Sequence, residues 1–285
     1  MILVTGATGS NGSELVRLLS ASGTPIRAMV RSIHRTGALA ALSSVEIVKA
    51  NFDDAASLER ALRGIERAFL LTNSTERAEA QQMRFVVAAK QAGVRHIVKL
   101  SQFAADETSP VRFLRYHAAV ERAIRETGLD YTFLRPNLFM QGLLGFAPTI
   151  KHEGRFYAAA GDAKVSIVDV RDNAAVAAAV LTGEGHAGKT YTLTGPEALS
   201  HAGMAAALSE ALDRTITFVD VPSEAMRAAL SQTPMPAWQA DGLIEDYAHY
   251  RRGEAALVAS GVQDATGKPP RPFAAFARDF AAAFT

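Results

Sequence analysis

Cysteine is absent from all 285 residues. Disulfides, thiolate nucleophiles and cysteine-ligated metals are therefore excluded, and a reducing compartment is the natural setting. Long hydrophobic runs are missing as well: no uncharged apolar stretch approaches the roughly 20 residues that span a bilayer. The opening run Ile2-Leu3-Val4-Thr5 reads as a strand and lacks the basic start, longer apolar stretch and cleavage site of a secretory leader. Charge of one sign is nowhere concentrated, and 30 Lys and Arg against 29 Asp and Glu leave a formal net charge of +1. With no basic block, neither nucleic acid nor a membrane surface is expected as a partner. His152, His186, His201 and His249 are scattered without metal-ligand spacing, so no metal is expected. No nucleophile-elbow glycine pattern surrounds any serine, which leaves a hydrolase without support. A cytoplasmic location is the expectation.

What is present is a large apolar fraction, 48% of the residues, enough for one large core or a core with a smaller lobe. Short apolar runs alternate with helical patterns through the first 135 residues. Strands are predicted at Ile2–Thr5, Ile26–Val30, Glu46–Lys49, Arg67–Leu71, His96–Leu100 and Tyr131–Leu134. Helices are predicted near Gly12–Ser22, Ala55–Leu62, Glu76–Ala92 and Phe113–Thr127. That alternation implies a parallel sheet with right-handed crossovers, covered on both faces. Gly23, Gly64, Gly93 and Gly128 each follow a helical segment, where a left-handed cap is needed. Beyond Pro136 the texture changes. Residues 139–161 read as loop-rich, "VSIVDVRDNAAVAAAVL" as strand, turn and helix, and "KTYTLTGPEALS" as a strand with Ser200 capping the next helix. The fold class expected is α/β: a doubly wound parallel-sheet Rossmann core with a smaller, mostly helical C-terminal lobe. The division expected is 1–145 for the core, with strands around 165–169 and 190–194 returning to it, and 146–285 for the lobe on the substrate side.

The strongest local signal is "ILVTGATGSNGSELV". A strand runs into Gly6-Ala7-Thr8-Gly9-Ser10-Asn11-Gly12 and then a helix. Gly6 permits the tight turn, Gly9 lets the backbone approach a pyrophosphate, and Gly12 lets the helix pack closely on the sheet. Free amides at the helix start and its dipole then meet the phosphate charge, and the side chains of Thr8, Ser10 and Asn11 add contacts. The second strand ends at Arg31, where an NAD-selective site places Asp or Glu for the ribose hydroxyl. Arg31 instead suits a 2′-phosphate, with Arg35 adding charge, so NADPH is expected in preference to NADH. Asp53, after the third strand, is expected either to cap the adjoining helix or to accept from the adenine amine.

Taken together, "VTGATGSNG", Arg31, "NFDD", "AGVRHIVKLS", "HAAVERAI" and "LRPNLFMQ" resemble the NmrA-like group of atypical short-chain dehydrogenases/reductases. The similarity continues through "GEGHAGKTYTLTGPEALS" to "TGKPPRPFAAFARDF" and covers nearly the whole chain. The resemblance implies an NADPH-dependent oxidoreductase passing hydride to a quinone-like or other electron-poor aromatic acceptor. The alternative it leaves open is a non-catalytic NADP(H)-binding redox sensor. Ordinary members of the wider superfamily use a Ser at the fifth strand's end and a Tyr-x-x-x-Lys on the next helix. Ser101 fills the first place, but His117 occupies the Tyr slot and Glu121 the Lys slot. Tyr116 lies one residue off register, about 100° round the helix. His117 has three readings: a general acid near neutral pH, a hydrogen-bond partner of cofactor or substrate, or a structural histidine.

Topology supplies the remaining candidates, because dinucleotides lie across the carboxyl ends of parallel strands. Leu71, Thr72 and Asn73 end the fourth strand; Ser101, Gln102 and Phe103 end the fifth; Pro136, Asn137 and Leu138 follow the sixth. Phe139 and Met140 are candidates for an acceptor pocket, with plain core as the competing role. Trp238, the only tryptophan, sits in a Pro-flanked stretch suited to a lid or to ordinary packing. A homodimer through exposed helices of the core remains open.

Overall fold

The structure is a computed structural model that describes residues 1–285, except for the side chain of Arg35. In chain order the first half contains β1 (Ile2–Val4), α1 (Ser10–Ala21), β2 (Ile26–Val30), β3 (Val45–Lys49), α2 (Ala55–Leu62), β4 (Arg67–Leu70), α3 (Ala78–Gln91), β5 (His96–Leu100), α4 (Arg112–Glu126) and β6 (Asp130–Pro136). The second half contains α5 (Ala147–Glu153), β7 (Arg155–Ala158), β8 (Lys164–Val165), α6 (Val170–Thr182), β9 (Lys189–Leu193), β10 (Leu199–Ser200), α7 (His201–Leu212), β11 (Thr217–Asp220), α8 (Ser223–Leu230), α9 (Ala237–Arg251), α10 (Gly261–Thr266) and α11 (Phe273–Asp279).

A seven-stranded sheet runs β3-β2-β1-β4-β5-β6-β9, and every neighbouring pair in it is parallel. The order reverses at β1, and that reversal opens a crevice beyond the strand ends. Side chains alternate across the sheet. Ile2, Val4, Val98 and Leu134 pack with α1 and α6 on one face. Leu3, Ile97 and Phe133 pack with α2, α3 and α4 on the other. By the same alternation Lys99 and Ser101 face α3 and α4, an arrangement that becomes decisive at the site. Gly23, Gly64, Gly93 and Gly128 all have the positive φ expected after a helix end.

A separate apolar cluster, including Phe156, Met204, Tyr247, Phe273 and Phe276, forms the core of the C-terminal part. There, two corrections to the sequence expectations are needed. The segment 165–169 does not return to the sheet. The free edge of β6 is taken by β9, in register from Thr132↔Lys189 to Pro136↔Leu193. Residues 165–169 are left with antiparallel pairing of β8 to β10 and a lone bridge between Phe139 and Val168. The stretch 139–161 is not loop-rich: it holds a 3-10 turn at Met140–Phe146, then α5 and β7. In addition, Val176, Val180 and Val262, from α6 and α10, pack against the sheet's α1 face. A cut at 146 therefore leaves part of the sheet's covering on the C-terminal side. No helix of the described residues is long and apolar enough to cross a membrane.

Candidate functional site

Above the carboxyl ends of β1, β2, β4, β5 and β6 lies a cleft of about 1150 Å³. Its floor at one end is the glycine loop. Gly6 turns out of β1 at φ +61° with its Cα side against Leu71. Thr5 Oγ1 accepts from the Leu71 amide at 2.8 Å, which ties the ends of β1 and β4 together. Gly9 precedes α1 in extended conformation, and neither a side-chain cap nor an acidic residue occupies that helix start. The first-turn amides and the positive end of the helix dipole are thus presented to the cleft, beside the exposed Thr8 and Ser10. At Gly12 a Cβ would collide with the Gly6 carbonyl and the Ala7 Cα, so the glycine lets the first turn of α1 lie directly on the backbone that leaves β1. Asn11 is buried and accepts from Asn173 Nδ2 of α6 at 3.3 Å.

Arg31 stands exposed at the cleft edge after β2 and forms no ion pair among the described residues. Its guanidinium is therefore free for an anionic ligand. The side chain of Arg35 lies outside the described residues. Asp53 reaches the cleft, but its carboxylate is held by Gln81, Arg77 and Arg84. The hydrogen bond from Gln81 and the two guanidinium groups hold it below the usual carboxylate range. It does not cap α2; Asp54 does, accepting from the Ser57 amide at 3.1 Å.

Leu71, Thr72, Asn73, Ser101, Gln102, Pro136, Asn137, Leu138, Phe139 and Trp238 all reach the cleft. Phe103 and Met140 do not. Phe103 is buried, its amide continuing the β5–β6 pairing onto the Pro136 carbonyl, and Met140 sits in the C-terminal apolar core. Asn137 spends its side chain internally, donating to Ser166 Oγ and the Ala255 carbonyl at 2.9 Å each and accepting from the Leu138 amide. It anchors the loop after β6. Trp238 opens α9 and packs on Phe113 at a ring distance of 5.4 Å, with Arg112 over its face.

The centre of the cleft is where β5 faces α4. Ser101 Oγ donates to Glu121 Oε1 at 2.6 Å, and Arg135 on β6 forms a two-pronged pair with the same carboxylate at 2.9 and 2.6 Å. Glu121 is thus the buried anchor of Ser101. It is not a substitute for the missing Lys ammonium. His117 lines the cleft and lies 2.8 Å through Nδ1 from Lys99 Nζ. Burial, then Lys99 and Arg135, push its pKa well below the ordinary histidine value. The free imidazolium needed by a conventional general acid is therefore withheld. Tyr116 also reaches the cleft, its ring 4.2 Å from that of His117. Its hydroxyl is tied to Ser74 Oγ at 2.9 Å and is pushed above the usual tyrosine range by burial.

Sequence reasoning missed Lys99, Gln82, Arg135 and Asp246. Lys99 had a signal: a charged residue inside the apolar run of a central strand. Its partner Gln82 lies on a crossover helix, and no local pattern joins the two. Asp246 of α9 is buried at the cleft wall, receives only Gln102 Nε2 at 3.2 Å on each oxygen, and has its pKa raised to about 7 by burial. Among the described residues no cluster suits a metal ion.

Fold, glycine loop and cleft together define a Rossmann-type dinucleotide-binding protein. The chain belongs to the NmrA-like family, whose model matches residues 1–252, the group its motifs resemble. It is 41% identical over 286 residues to the (4-alkanoyl-5-oxo-2,5-dihydrofuran-3-yl)methyl phosphate reductase of Streptomyces griseus, covering 100% of this chain and 99% of that protein. It is 39% identical over 284 residues to the NAD(P)H azoreductase of Xenophilus azovorans, covering 100% and 99%. The NADPH-dependent quinone oxidoreductase of Escherichia coli, solved with NADPH, matches with a TM-score of 0.89 at 30% identity, over 99% of this chain and 100% of that one.

Proposed function

We propose that the chain is an NADPH-dependent reductase that passes hydride to a quinone-like or other electron-poor aromatic acceptor. The observation that carries the reading is one continuous cleft with an uncapped helix start and a free guanidinium at one end and the Ser101–His117 wall further along. The residues present fit the dinucleotide. Backbone amides of Ser10 to Gly12 suit a pyrophosphate, a Cβ at Gly12 would close that cradle, and Arg31 suits the 2′-phosphate. The relatives named for NAD(P)H-dependent reduction support the same cofactor. When bound, the nicotinamide supplies hydride.

The chain's own residues orient and protect the reaction. Ser101, held by Glu121 and Arg135, offers its hydroxyl oxygen at the end of β5. Asn137 and Pro136 fix the loop after β6. His117 Nε2 has no hydrogen-bond partner among the described residues and is the polar atom available to an acceptor oxygen. Phe139, Trp238 and Tyr116 provide an apolar wall that aligns an aromatic ring and excludes water. An electron-poor acceptor suits this wall, because it takes hydride readily once its ring is aligned. The test is to mix the purified chain with NADPH and a panel of quinones and azo compounds and follow the absorbance of the reduced nicotinamide. Turnover dependent on the protein is expected; NADPH binding without turnover on any acceptor would overturn the reading.

A further inference from the structure

We propose that Lys99 is the proton reservoir of this site, serving the acceptor through the imidazole of His117. The inference rests on the reductase reading above and concerns a residue that does not itself line the cleft. Lys99 is fully buried one residue before the end of β5. Its Nζ has three neighbours: Gln82 Oε1 at 2.8 Å, His117 Nδ1 at 2.8 Å and the Leu100 carbonyl at 3.3 Å. Two of these are oxygens that only accept, and Gln82 is itself oriented by donating Nε2 to Thr72 Oγ1 at 2.8 Å. An ammonium has three hydrogens, and three acceptors use all of them. Nδ1 of His117 is then the acceptor, the ring proton sits on Nε2, and that N–H faces the cleft.

A lysine kept for structure is normally paired with a carboxylate when buried. Lys99 forms no ion pair among the described residues. The titratable and charged groups that face it are the imidazole of His117 and the carboxylate of Glu121 from α4 and Arg135 from β6, while α3 contributes the neutral Gln82. Burial dominates, Glu121 opposes it and Arg135 reinforces it, leaving a pKa lowered to about 7. The ammonium is therefore ready to release a proton at neutral pH, as an ordinary lysine is not.

The step balances. Hydride from the bound reduced nicotinamide brings both electrons to the acceptor, whose oxygen takes a proton from His117 Nε2. Nδ1 takes a proton from Lys99, leaving a neutral amine and the opposite histidine tautomer. After product leaves, Nε2 regains a proton from water and Nδ1–H returns to Nζ. A quinone thus gains one hydride and one proton and becomes the hydroquinone. Lys99 acts through His117 and is a positioning and proton-supplying residue; only His117 touches the acceptor.

The test compares wild type with K99M and K99Q, using benzoquinone and NADPH from mildly acid to alkaline pH. Gln keeps an N–H to point at Nδ1 but has no proton to give. Wild-type kcat is expected to fall as pH rises through neutrality. K99Q is expected to lose roughly tenfold to a hundredfold in kcat, to keep KM within about threefold, and to lose that alkaline limb. Nitrogen-15 NMR of the ligand-free wild type gives a second readout: the Nε2–H tautomer of His117, and a lysine titrating near neutral pH that is missing in K99Q. If K99M does not fold, K99Q and the wild-type titration still decide. A K99Q rate and pH profile matching wild type, or a His117 protonated on Nδ1, would overturn the relay alone. Absence of wild-type turnover would remove the reductase reading and the relay with it.

Discussion

The proposed role of Arg31 in holding the 2′-phosphate is isolated by replacing it with Ala. Arg31 follows β2 at the cleft edge and makes no ion pair among the described residues. The substitution thus leaves no internal partner behind, and stability is expected to be unchanged. A unit charge pair about 4 Å apart is worth roughly 1 kcal/mol in bulk water and about 4 kcal/mol at an effective dielectric near 20. Arg31 is exposed, which favours the lower half of that range, while a charge-assisted hydrogen bond to phosphate contributes about 1.5–3 kcal/mol. A loss of about 2 kcal/mol follows, equal to roughly thirtyfold in Kd, since about 1.4 kcal/mol is tenfold. Calorimetric titration of wild type and R31A with NADPH and with NADH reads it directly. NADPH is expected to weaken by that factor, NADH to change less than about twofold, and the NADPH difference to shrink as salt rises. Equal weakening of both dinucleotides, or less than about threefold for NADPH, would refute the assignment of Arg31 to the 2′-phosphate.

Gly12→Ala forces a Cβ into the Gly6 carbonyl, so it is expected to cost about 1–3 kcal/mol of stability and to abolish tight NADPH binding. Gly9→Ala meets nothing closer than that carbonyl at 3.4 Å, and should weaken NADPH while leaving the melting temperature unchanged; calorimetry on both variants separates the two roles. Glu121→Gln keeps the Ser101 contact but leaves Arg135 without its buried counter-charge. Breaking a buried pair costs about 3–5 kcal/mol, reduced here because Arg135 is partly exposed, so a loss of roughly 4–10 °C in melting temperature is expected. His201 is buried against Phe156, Phe218 and Tyr247 with Nδ1 unpartnered, and burial lowers its pKa from 6.5 to about 4. As pH falls through that window the unfolded chain takes up a proton that the folded one refuses, so the folded state loses stability. His201→Phe removes that loss, and its stability advantage in denaturant melts should widen as pH drops from 6.5 towards 4; a constant difference would contradict the neutral buried histidine.

The α4–α9 side of the cleft owes its shape to long-range packing. Gly242 on α9 lets the Phe113 ring of α4 lie directly on the helix backbone, where any side chain would strike it. Arg112 reinforces the same junction by pairing with Glu245 at 2.7 Å and donating to the Trp238 carbonyl. Trp238 is thus held on α4 as one wall of the cleft. Asp246 lies on the same helix and meets Gln102 from the end of β5. This wall of the cleft therefore combines elements far apart in the chain, α4 and α9, with the strand end that bears Ser101.

Local sequence determined the alternation of strands and helices in the first half, the glycine loop and the arginine after β2. Each of these is set by short-range physics: side-chain period, backbone freedom at Gly6, and the absence of a carboxylate where one would bind a ribose. It also placed Ser101, His117 and Glu121 in register, because strand end and helix turn are countable. Only tertiary structure decided what these residues do. Burial, with Lys99 of β5 folded beneath it, lowers the pKa of His117, and Glu121 is held beside Ser101 because β6 brings Arg135 alongside. The exclusion of 165–169 from the sheet was equally illegible, since an edge already filled by β9 cannot accept a second strand. Burial and pairing across distant segments set charge state and edge occupancy, and neither is written in any local window of the chain.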